Sequence, residues 1–424
     1  MKTVRPRTTL IRPLRDFLTT ESAGGMLVVI AAAVAMVWAN SPWSASYRSF
    51  WTTELGVSVG SFDFTLDLRH WVNDALMAVF FFVVGLEIKR EVSEGELRDR
   101  RKAIVPVVAA IGGMVVPALI FVGFNAGSAS VRGWGIPMAT DIALALGILS
   151  LAGSRVPAGT KLFLLALAIV DDIGAIIVIA IFYGKGGERM WLVASVVAVA
   201  AALVLQRLGV NATTVYVAIG IALWFSFHEA GVHATIAGVV MGLLAPSRPK
   251  LQDALIDVAE LTDLSSVEHA LASARIARSS VSVVEWLEYH LHSWTSFVIV
   301  PMFAIANAGI ALSADALADS MRSSAAWGVV VGLVIGKPVG ILLATFLVIR
   351  SGAGSIPDDS TWRDLTAAAV VAGVGFTVSL FVAELAFTEP VVDHAKVGVF
   401  VASVIAGVVG LSLARLRPKI TLPN

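Results

Sequence analysis

The 424-residue sequence contains no cysteine, and only 15% of its residues are charged. The absence of cysteine excludes disulfide bonds, thiolate metal sites and cysteine nucleophiles. The scarcity of charge is equally informative, because soluble globular chains usually carry roughly a quarter charged residues. A formal net charge of zero argues against nucleic acid as a main partner. With 57% hydrophobic residues, the chain has more apolar surface than one soluble core can bury, and we expect a lipid bilayer as its surroundings.

Apolar segments recur along the chain, and about 20 such residues suffice to cross the hydrocarbon of a bilayer. We count twelve of them and predict an all-α, polytopic membrane protein. Most of the 31 basic residues lie on the side of both termini, which the positive-inside rule makes cytoplasmic. The predicted location is the inner membrane. The predicted spans are 23–40, 71–90, 103–124, 132–150, 160–183, 190–207, 213–227, 231–246, 286–311, 325–350, 364–387 and 394–415.

The spans form one predicted transmembrane domain over residues 23–416. Residues 1–22 form a basic cytoplasmic N-terminus, and residues 417–424 a cytoplasmic tail. We interpret the first apolar run as a retained span, because no small-residue cleavage site of a signal peptide follows it. Residues 247–285 form a polar, acidic cytoplasmic loop between spans 8 and 9.

Residues 54–66, between spans 1 and 2, have the alternation of a β-hairpin. Val57, Val59, Phe62 and Phe64 flank Gly60 and its neighbouring serine, a pattern typical of two short strands around a turn. An exposed hairpin edge often pairs with another chain, so the segment is a candidate dimer contact. The alternative is a plain external loop.

Two adjacent aspartates, Asp171 and Asp172, lie in the middle of the fifth span. An ionisable group at this depth costs several kcal/mol, so it is a functional candidate by default. Neighbouring carboxylates in a low dielectric repel each other and resist ionisation, so each can hold a proton or a hard cation. Ala168 and Ala175 share their helical stripe and are expected to leave space for water or an ion. The alternative is a satisfied pair at a helix contact.

Asp141 follows a stretch rich in helix breakers in the fourth span. Gly135 and Pro137 precede it, and Thr140 adds a hydroxyl oxygen. Glycine and proline interrupt a helix and free backbone carbonyls. Such interrupted helices form ion sites in transporters, and an oxygen-rich site suits sodium or lithium. The alternative is a kink with a capping aspartate.

Residues 370–381 form a second interrupted segment, containing Gly373 and Gly375. Two broken spans in corresponding halves of a chain indicate an inverted repeat with the binding site between them. We assign spans 3–5 and 10–12 as the repeat units.

Lys337 lies in the middle of the tenth span. A lysine buried there needs a carboxylate partner to remain charged, and Asp171 or Asp172 is the obvious candidate. Such a pair keeps the site neutral when no cation is bound. The alternative is a lysine that extends toward the membrane interface.

Further acidic and imidazole groups lie at span ends. At the cytoplasmic end of spans 2 and 9 they could sense pH, although solvated helix ends explain them as well. His233 begins span 8 on the outside, where a lone histidine is more often structural. Glu384, an acid within span 11, has no assigned role. The cytoplasmic candidates are Glu87, Glu91, Glu288 and His292.

Several motifs in consistent order resemble the NhaA family of bacterial sodium/proton antiporters, from about span 1 to span 12. They are NDALMAVFFFVVGLEIKRE, AAIGGMVVPA, ATDIALALG, LALAIVDDIGAI, GVHATIAG, FAIANAG, GKPVGI and GVGFTVS.

The resemblance implies that Asp171 and Asp172 bind the cation and protons. Asp141 and Thr140 then lie nearby, in the first of two crossed broken helices, and Lys337 pairs with Asp171. It also implies a homodimer through the hairpin and electrogenic exchange, with more protons than sodium ions moved per cycle. Positions linked to the pH response are matched by Glu87, Glu91, Glu288 and His233.

We expect an alternating-access antiporter, not an enzyme, with no cofactor besides the transported Na⁺ or Li⁺ and protons. Departures from the family pattern are a longer loop before span 9, Tyr289 where histidine is common, and Glu384 in place of a small polar residue. One alternative is an intramembrane aspartyl protease, which needs a carboxylate dyad on facing helices; its GxGD motif is absent. Another is a cation channel.

Overall fold

The computed structural model describes residues 11–60, 62–184, 186–210, 212–247 and 281–416. The predicted tail 417–424 and nearly all of the predicted loop 247–285 lie outside them. Helices dominate the described part. In chain order they are α1 (Ile11–Ala39), α2 (Ser44–Trp51), α3 (Leu68–Ser93), α4 (Arg100–Asn125), a 3₁₀ helix (Ala129–Met138), α5 (Ile142–Leu151), α6 (Ala158–Phe182), α7 (Arg189–Arg207), α8 (Thr213–Glu229), α9 (Ile236–Leu244), α10 (residues 283–307), α11 (Ala314–Arg322), α12 (Ser324–Arg350), α13 (Trp362–Val371), α14 (Phe376–Ala386) and α15 (Val391–Arg415).

Six of the described helices are long and apolar enough to cross a membrane, and three bent pairs raise that number to nine at most. The chain is therefore a membrane-spanning helical protein. Helices α8 and α9, with 17 and 9 residues, are shorter than that criterion requires. The predicted count of twelve spans stays a prediction. The six single-helix spans are α3, α4, α6, α7, α12 and α15.

Two of the bent pairs are the segments predicted to be interrupted. The 3₁₀ helix and α5 meet at 45°, and we call them the first broken helix. Helices α13 and α14 meet at 44°, and we call them the second broken helix. The predicted breakers Gly135 and Pro137 lie within the 3₁₀ helix, so the first break comes after them, at residues 139–141. The break follows where Ala139 turns to extended backbone.

The third bent pair concerns the first predicted span. Helix α1 begins at Ile11, earlier than the predicted start of the apolar run, and α2 turns away from it by 115°. The helix in the eighth predicted span begins later than predicted. Gly231 has a positive φ of 69°, which ends helical geometry, and α9 begins only at Ile236.

The predicted β-hairpin is confirmed. Strands β1 (Glu54–Val59) and β2 (Phe62–Asp67) pair antiparallel, with Val59 opposite Phe62. Gly60 supplies the positive φ of the turn, at 63°. On the hairpin's outer surface Leu55 and Val57 are exposed.

Close packing of α4 against α12 supports the interior of the bundle. A Cβ atom on Gly340 would lie 2.1 Å from the carbonyl oxygen of Gly112, so only glycine permits the two backbones to approach this closely. Small residues at helix contacts are typical of membrane bundles, where van der Waals packing drives association. This contact fixes α12 and holds its Lys337 inside the bundle, where that residue is fully buried.

Candidate functional site

Helix α6 carries Asp171 and Asp172 near its middle, and both are buried, at 1% and 5% exposure. Successive residues of a helix point about 100° apart, so the two carboxylates have different neighbours. Asp171 contacts α12, whereas Asp172 lines a cavity. The predicted pair therefore divides into one paired carboxylate and one accessible to small molecules.

Lys337 is the partner of Asp171. Its Nζ lies 2.6 Å from Asp171 Oδ2, and both side chains are fully buried. It also donates a hydrogen bond to the carbonyl of Met138, the last residue of the 3₁₀ helix, whose carbonyl end carries partial negative charge. A π-helical turn, Gly332–Gly336, immediately precedes the lysine. The interpretation of Lys337 as a side chain that extends to the interface is wrong.

The two broken helices cross at their breaks and satisfy each other's backbone. Asp141 donates its N–H to the carbonyl of Val374 at 2.8 Å. The hydroxyl of Thr140 donates to the carbonyl of Ala372 at 3.0 Å, and that of Ser379 to Ile136 at 2.8 Å. A break in lipid requires such partners, because an unpaired backbone group there costs several kcal/mol.

Glycine in the second break allows this crossing. A Cβ atom on Gly375 would lie 3.0 Å from the carbonyl oxygen of Ala139 in the first break, and 2.2 Å from Ser379 Oγ. A Cβ atom on Gly373 would lie 2.5 Å from the carbonyl oxygen of Leu333 in α12. The second break is thus in contact with both the first break and the helix that carries Lys337.

Asp141 lies between the N-termini of two half-helices. Its Oδ1 accepts a hydrogen bond from the N–H of Leu144 at 3.0 Å, and this bond caps the N-terminus of α5. Its Oδ2 accepts the N–H of Thr377 at 3.1 Å and the hydroxyl of the same residue at 2.6 Å. Helix N-termini favour negative charge. Asp141 is therefore a capping aspartate and also a member of the site.

Thr377 is a site residue that the sequence analysis did not assign. The available signal was its hydroxyl in the first turn of a predicted half-helix, a position from which it can reach across the break. A second unassigned residue is Tyr183. Its hydroxyl donates to the carbonyl of Arg132 at 2.8 Å and accepts the N–H of Gly135 at 3.2 Å, so it clamps the 3₁₀ helix.

A cavity of about 70 Å³ extends from the carboxylates. Its lining includes Asp172, Asp141 and Thr140, together with Glu87 and His292. Its volume corresponds to roughly two water molecules at about 30 Å³ each. Ala168 and Ala175, predicted to provide this space, are not among its lining residues. They are buried in helix contacts, and the space opens instead beside the first break.

Charge accumulates around Asp172. Its electrostatic neighbours are Asp171, Glu87 and Asp141, with Lys337 as the compensating cation. Within the described residues no three acidic, histidine or cysteine side chains are grouped as a resident metal centre would require. The arrangement offers carboxylate and hydroxyl oxygens beside a small cavity, which suits a cation that binds and leaves.

Four of the residues predicted to respond to pH, Glu87, Glu91, Glu288 and His292, lie on α3 and α10, and two of them line the cavity. His292 Nδ1 lies 3.6 Å from Glu87 Oε1, and Glu288 Oε1 lies 2.5 Å from Arg90 Nη1. These pairs join α3 to α10. Glu91 is buried one helical turn beyond Glu87. His233 does not join them.

The ring of His233 packs instead on Phe381, 5.9 Å between centroids, in the part of α14 that lies beyond Thr377.

The carboxylates also lack the arrangement of an aspartyl protease, in which two of them share a proton. Asp171 is bound to a lysine, and both oxygens of Asp141 accept other donors.

A family model described as Na⁺/H⁺ antiporter 1 matches residues 15–413. The chain is 43% identical over 422 residues to the Na(+)/H(+) antiporter NhaA of Rhodopirellula baltica, covering 97% of this chain and 95% of that protein. It is 42% identical to the antiporter of the same name from Shewanella loihica, covering 96% and 98%.

A solved structure of the sodium proton antiporter MjNhaP1 from Methanocaldococcus jannaschii is similar in fold. The TM-score is 0.51 at 12% identity, over 95% of this chain and 96% of that one. At this identity the likeness concerns the fold alone.

Proposed function

The chain belongs to the Na⁺/H⁺ antiporter 1 family and is a membrane-spanning antiporter of the NhaA type, and from this premise we propose how its buried carboxylates exchange the ions. Na⁺ or Li⁺ binds Asp172, with Asp141 and Thr140 as neighbouring oxygen ligands. Protons compete with the cation for the same carboxylates. The observation that carries this proposal is the cavity lined by Asp172 and Asp141, beside the Lys337–Asp171 pair.

The exchange follows from the cost of burying charge. A buried carboxylate without a counter-ion resists ionisation, so Asp172 holds a proton when no cation is bound. Where protons are scarce and Na⁺ is present, the proton leaves through the cavity and Na⁺ takes its place. On the opposite side a proton displaces the Na⁺. The carboxylate is neutralised in both loaded forms, and the loaded protein can change the side on which the site opens.

Lys337 and Asp171 supply the second proton of an electrogenic cycle. When the pair is intact, Asp171 is compensated by Lys337 at 2.6 Å. If Asp171 turns to ligate the cation, the lysine loses its counter-ion at a fully buried position and releases a proton. Two protons then move against one Na⁺, and each cycle transfers one net positive charge.

We place the pH response at the cytoplasmic mouth of the cavity. Protonated His292 attracts Glu87, and Arg90 holds Glu288 in the same region, with Glu91 buried nearby. Imidazole titrates near neutral pH, so a rise in cytoplasmic pH weakens the first of these contacts and frees Glu87 to attract cations.

The remaining features of the proposal concern topology and assembly. Residues 23–416 form twelve spans with both termini in the cytoplasm, in the bacterial inner membrane, with the inverted repeats assigned above. The hairpin of β1 and β2 joins two copies into a homodimer, which its exposed Leu55 and Val57 support.

Antiport in everted vesicles tests the proposed function. Na⁺ or Li⁺ is added to vesicles from a strain lacking its own antiporters, and dequenching of a ΔpH-sensitive dye is measured. Asp172→Asn keeps the size of the side chain but cannot exchange a proton for a cation, so we expect dequenching to be lost. Retained sodium-driven dequenching in this variant would refute the assigned role of Asp172. Currents far above carrier turnover would instead indicate a channel, and cleavage of a tagged single-span substrate a protease.

A further inference from the structure

One face of α14 leads from the ion site to the end of the helix. Thr377, Phe381 and Glu384 follow each other at i, i+4 and i+7, a spacing that places side chains on one side of a helix. Thr377 holds Asp141 at the break. The other two residues therefore mark successive levels outward from the site, up to the last residue of α14, Ala386.

An aromatic layer surrounds Phe381 at the first of these levels. Phe381 is fully buried, and its ring centroid lies 5.5 Å from that of Phe81, 6.1 Å from that of Phe303 and 5.9 Å from that of His233. These rings come from α3, α10 and the segment before α9. Phe81 precedes Glu87 on α3 and Phe303 follows His292 on α10, so the aromatic layer and these two cavity residues lie at different levels of the same helices.

An ion pair lies at the second level. Lys396 Nζ of α15 is 2.5 Å from Glu384 Oε1, and the side chains are only 4% and 17% exposed. Asp393, one turn before the lysine, interacts electrostatically with Lys396, Glu389, Glu384 and Arg69. Buried Tyr47 has Arg69, Glu384 and Asp393 as its charged neighbours. The outer end of α14 is thus enclosed by charges, and its direct contact is with Lys396.

We propose that the Glu384–Lys396 pair is a positioning device that holds the outer part of α14 against α15 and so keeps Phe381 seated in the aromatic layer. This inference rests on the proposed orientation, in which α14 ends on the external side. The layer closes the ion site from outside, and the pair sets how often it opens. Weakening the pair increases external access without altering any residue that contacts the ion.

Burial distinguishes this pair from an ordinary surface pair. An exposed ion pair contributes little because water screens and replaces it. In contrast, removal of one partner from a buried pair leaves an uncompensated charge, and the nearest way to solvate it is displacement of the end of α14. That displacement carries Phe381, one turn away, out of its contacts.

The absence of cysteine from the chain permits a direct test. Val378→Cys places a single thiol beside the cavity that Asp172 lines, inward of Phe381. A membrane-impermeant methanethiosulfonate reagent is applied to the external face of right-side-out vesicles, and the labelling rate is measured. We expect Glu384→Gln and Lys396→Met each to raise that rate about tenfold, the effect of a shift of roughly 1.4 kcal/mol between two states. The charge swap Glu384→Lys with Lys396→Glu is expected to restore the slow rate.

A matched control is available in α11. Asp319 pairs with Arg322 at 3.8 Å, but both side chains are exposed, at 62% and 82%. Asp319→Asn is therefore expected to leave the labelling rate unchanged. An equal increase in this variant, an unchanged rate in both single variants of the buried pair, or a charge swap that labels as fast as the single variants would overturn the proposal.

Two further measurements keep the result interpretable. If Glu384→Gln does not fold, Glu384→Asp retains the charge but shortens its reach, and an intermediate labelling rate is expected; an unchanged rate contradicts the proposal. Labelling requires no ion flux, so a failed antiport assay does not affect it. If the variants of Glu384 and Lys396 raise the labelling rate in everted vesicles and not in right-side-out vesicles, the proposed orientation is wrong.

Discussion

Lys337–Asp171 and Lys396–Glu384 are the same chemical pair in two places. Their N–O distances are nearly equal, 2.6 Å and 2.5 Å. The first pair is fully buried and also contacts the carbonyl end of a half-helix. The second lies two helical turns from the site, and its acid retains 17% exposure. Distance and charge therefore do not distinguish their roles.

The surroundings distinguish them. Asp171 adjoins Asp172, which lines the cavity, so in the proposed exchange a change in the charge of Asp171 acts on the bound cation. Glu384 pairs with Lys396 and interacts electrostatically with Asp393, so in the further proposal its charge acts on the position of a helix. A lysine–carboxylate pair in a membrane protein is thus a chemical participant or a mechanical support according to what lies next to it.

The inner pair should give the largest effect. Lys337→Met leaves Asp171 buried without a counter-ion, which typically costs about 3–5 kcal/mol. We expect a clear fall in the melting temperature of the detergent-solubilised protein and loss of antiport. The double variant Asp171→Asn with Lys337→Met should recover most of the stability, but not the sodium-driven change in membrane potential. If Lys337→Met and Lys396→Met impair transport equally, the comparison fails.

Two hydroxyl groups on α14 test whether a direct hydrogen bond to Asp141 affects the apparent affinity for Na⁺. Thr377→Val removes the donor that holds Asp141 at 2.6 Å, and a lost hydrogen bond to a charged group costs about 1.5–3 kcal/mol. The apparent KM for Na⁺ is expected to rise about tenfold or more.

Ser379→Ala is its control, because that hydroxyl also spans the two broken helices but ends on the backbone of Ile136. It should leave the KM for Na⁺ nearly unchanged while lowering stability. A larger rise in KM for Ser379→Ala than for Thr377→Val would show that the crossing, rather than Asp141, sets cation affinity.

The outer pair should change rate rather than affinity. Glu384→Gln alters the frequency of opening and leaves the ion ligands in place. Its KM for Na⁺ should stay within about twofold of the unmodified value while the maximal rate changes by a few fold. A rise in KM without a change in the maximal rate would show that Glu384 acts on cation binding. That result would contradict the distinction between the two pairs.

The smallest expected effect is at the cytoplasmic mouth. His292→Gln removes the charge that attracts Glu87 below neutral pH, so the variant should remain active in more acidic medium. The pair spans 3.6 Å and is partly buried, so its contribution is small. We therefore expect the pH profile of antiport to shift slightly toward acid.

His290→Gln is the matched control at the mouth, since that ring is exposed and its hydrogen bond within the described residues is local, to the carbonyl of Trp286. Its pH profile should coincide with that of the unmodified protein. Equal shifts in both variants would assign the effect to the general charge of α10.

The sequence predicted the features that follow from the cost of polarity in lipid. Asp141, Asp171, Asp172 and Lys337 stood out because each is an ionisable residue in an apolar run, and the structure brings all four into one region. Breaks near Asp141 and Gly375 followed from glycine and proline in the same way. The hairpin followed from alternation around Gly60.

What the sequence could not specify are contacts between distant segments. The position of Thr377 at the start of a half-helix indicates that its hydroxyl can reach across the break, but not that it meets Asp141. Nothing local indicates that Glu384 meets Lys396, because both contacts depend on how helices cross. The space beside Asp172 was predicted from Ala168 and Ala175, yet small side chains create a cavity only where no neighbour fills it. The helix boundary before Ile236 was missed because an apolar run does not reveal a turn at Gly231.

The crossing of the two broken helices has a consequence for selectivity. At each break, backbone groups and hydroxyls find partners in the other, so separating the breaks would expose several unsatisfied groups to lipid. In the proposed alternating-access cycle, the coordinating oxygens therefore reorient as a single unit. An ion entering from either compartment then meets the same oxygens, and we expect the preference between sodium and lithium to be identical for uptake and for export.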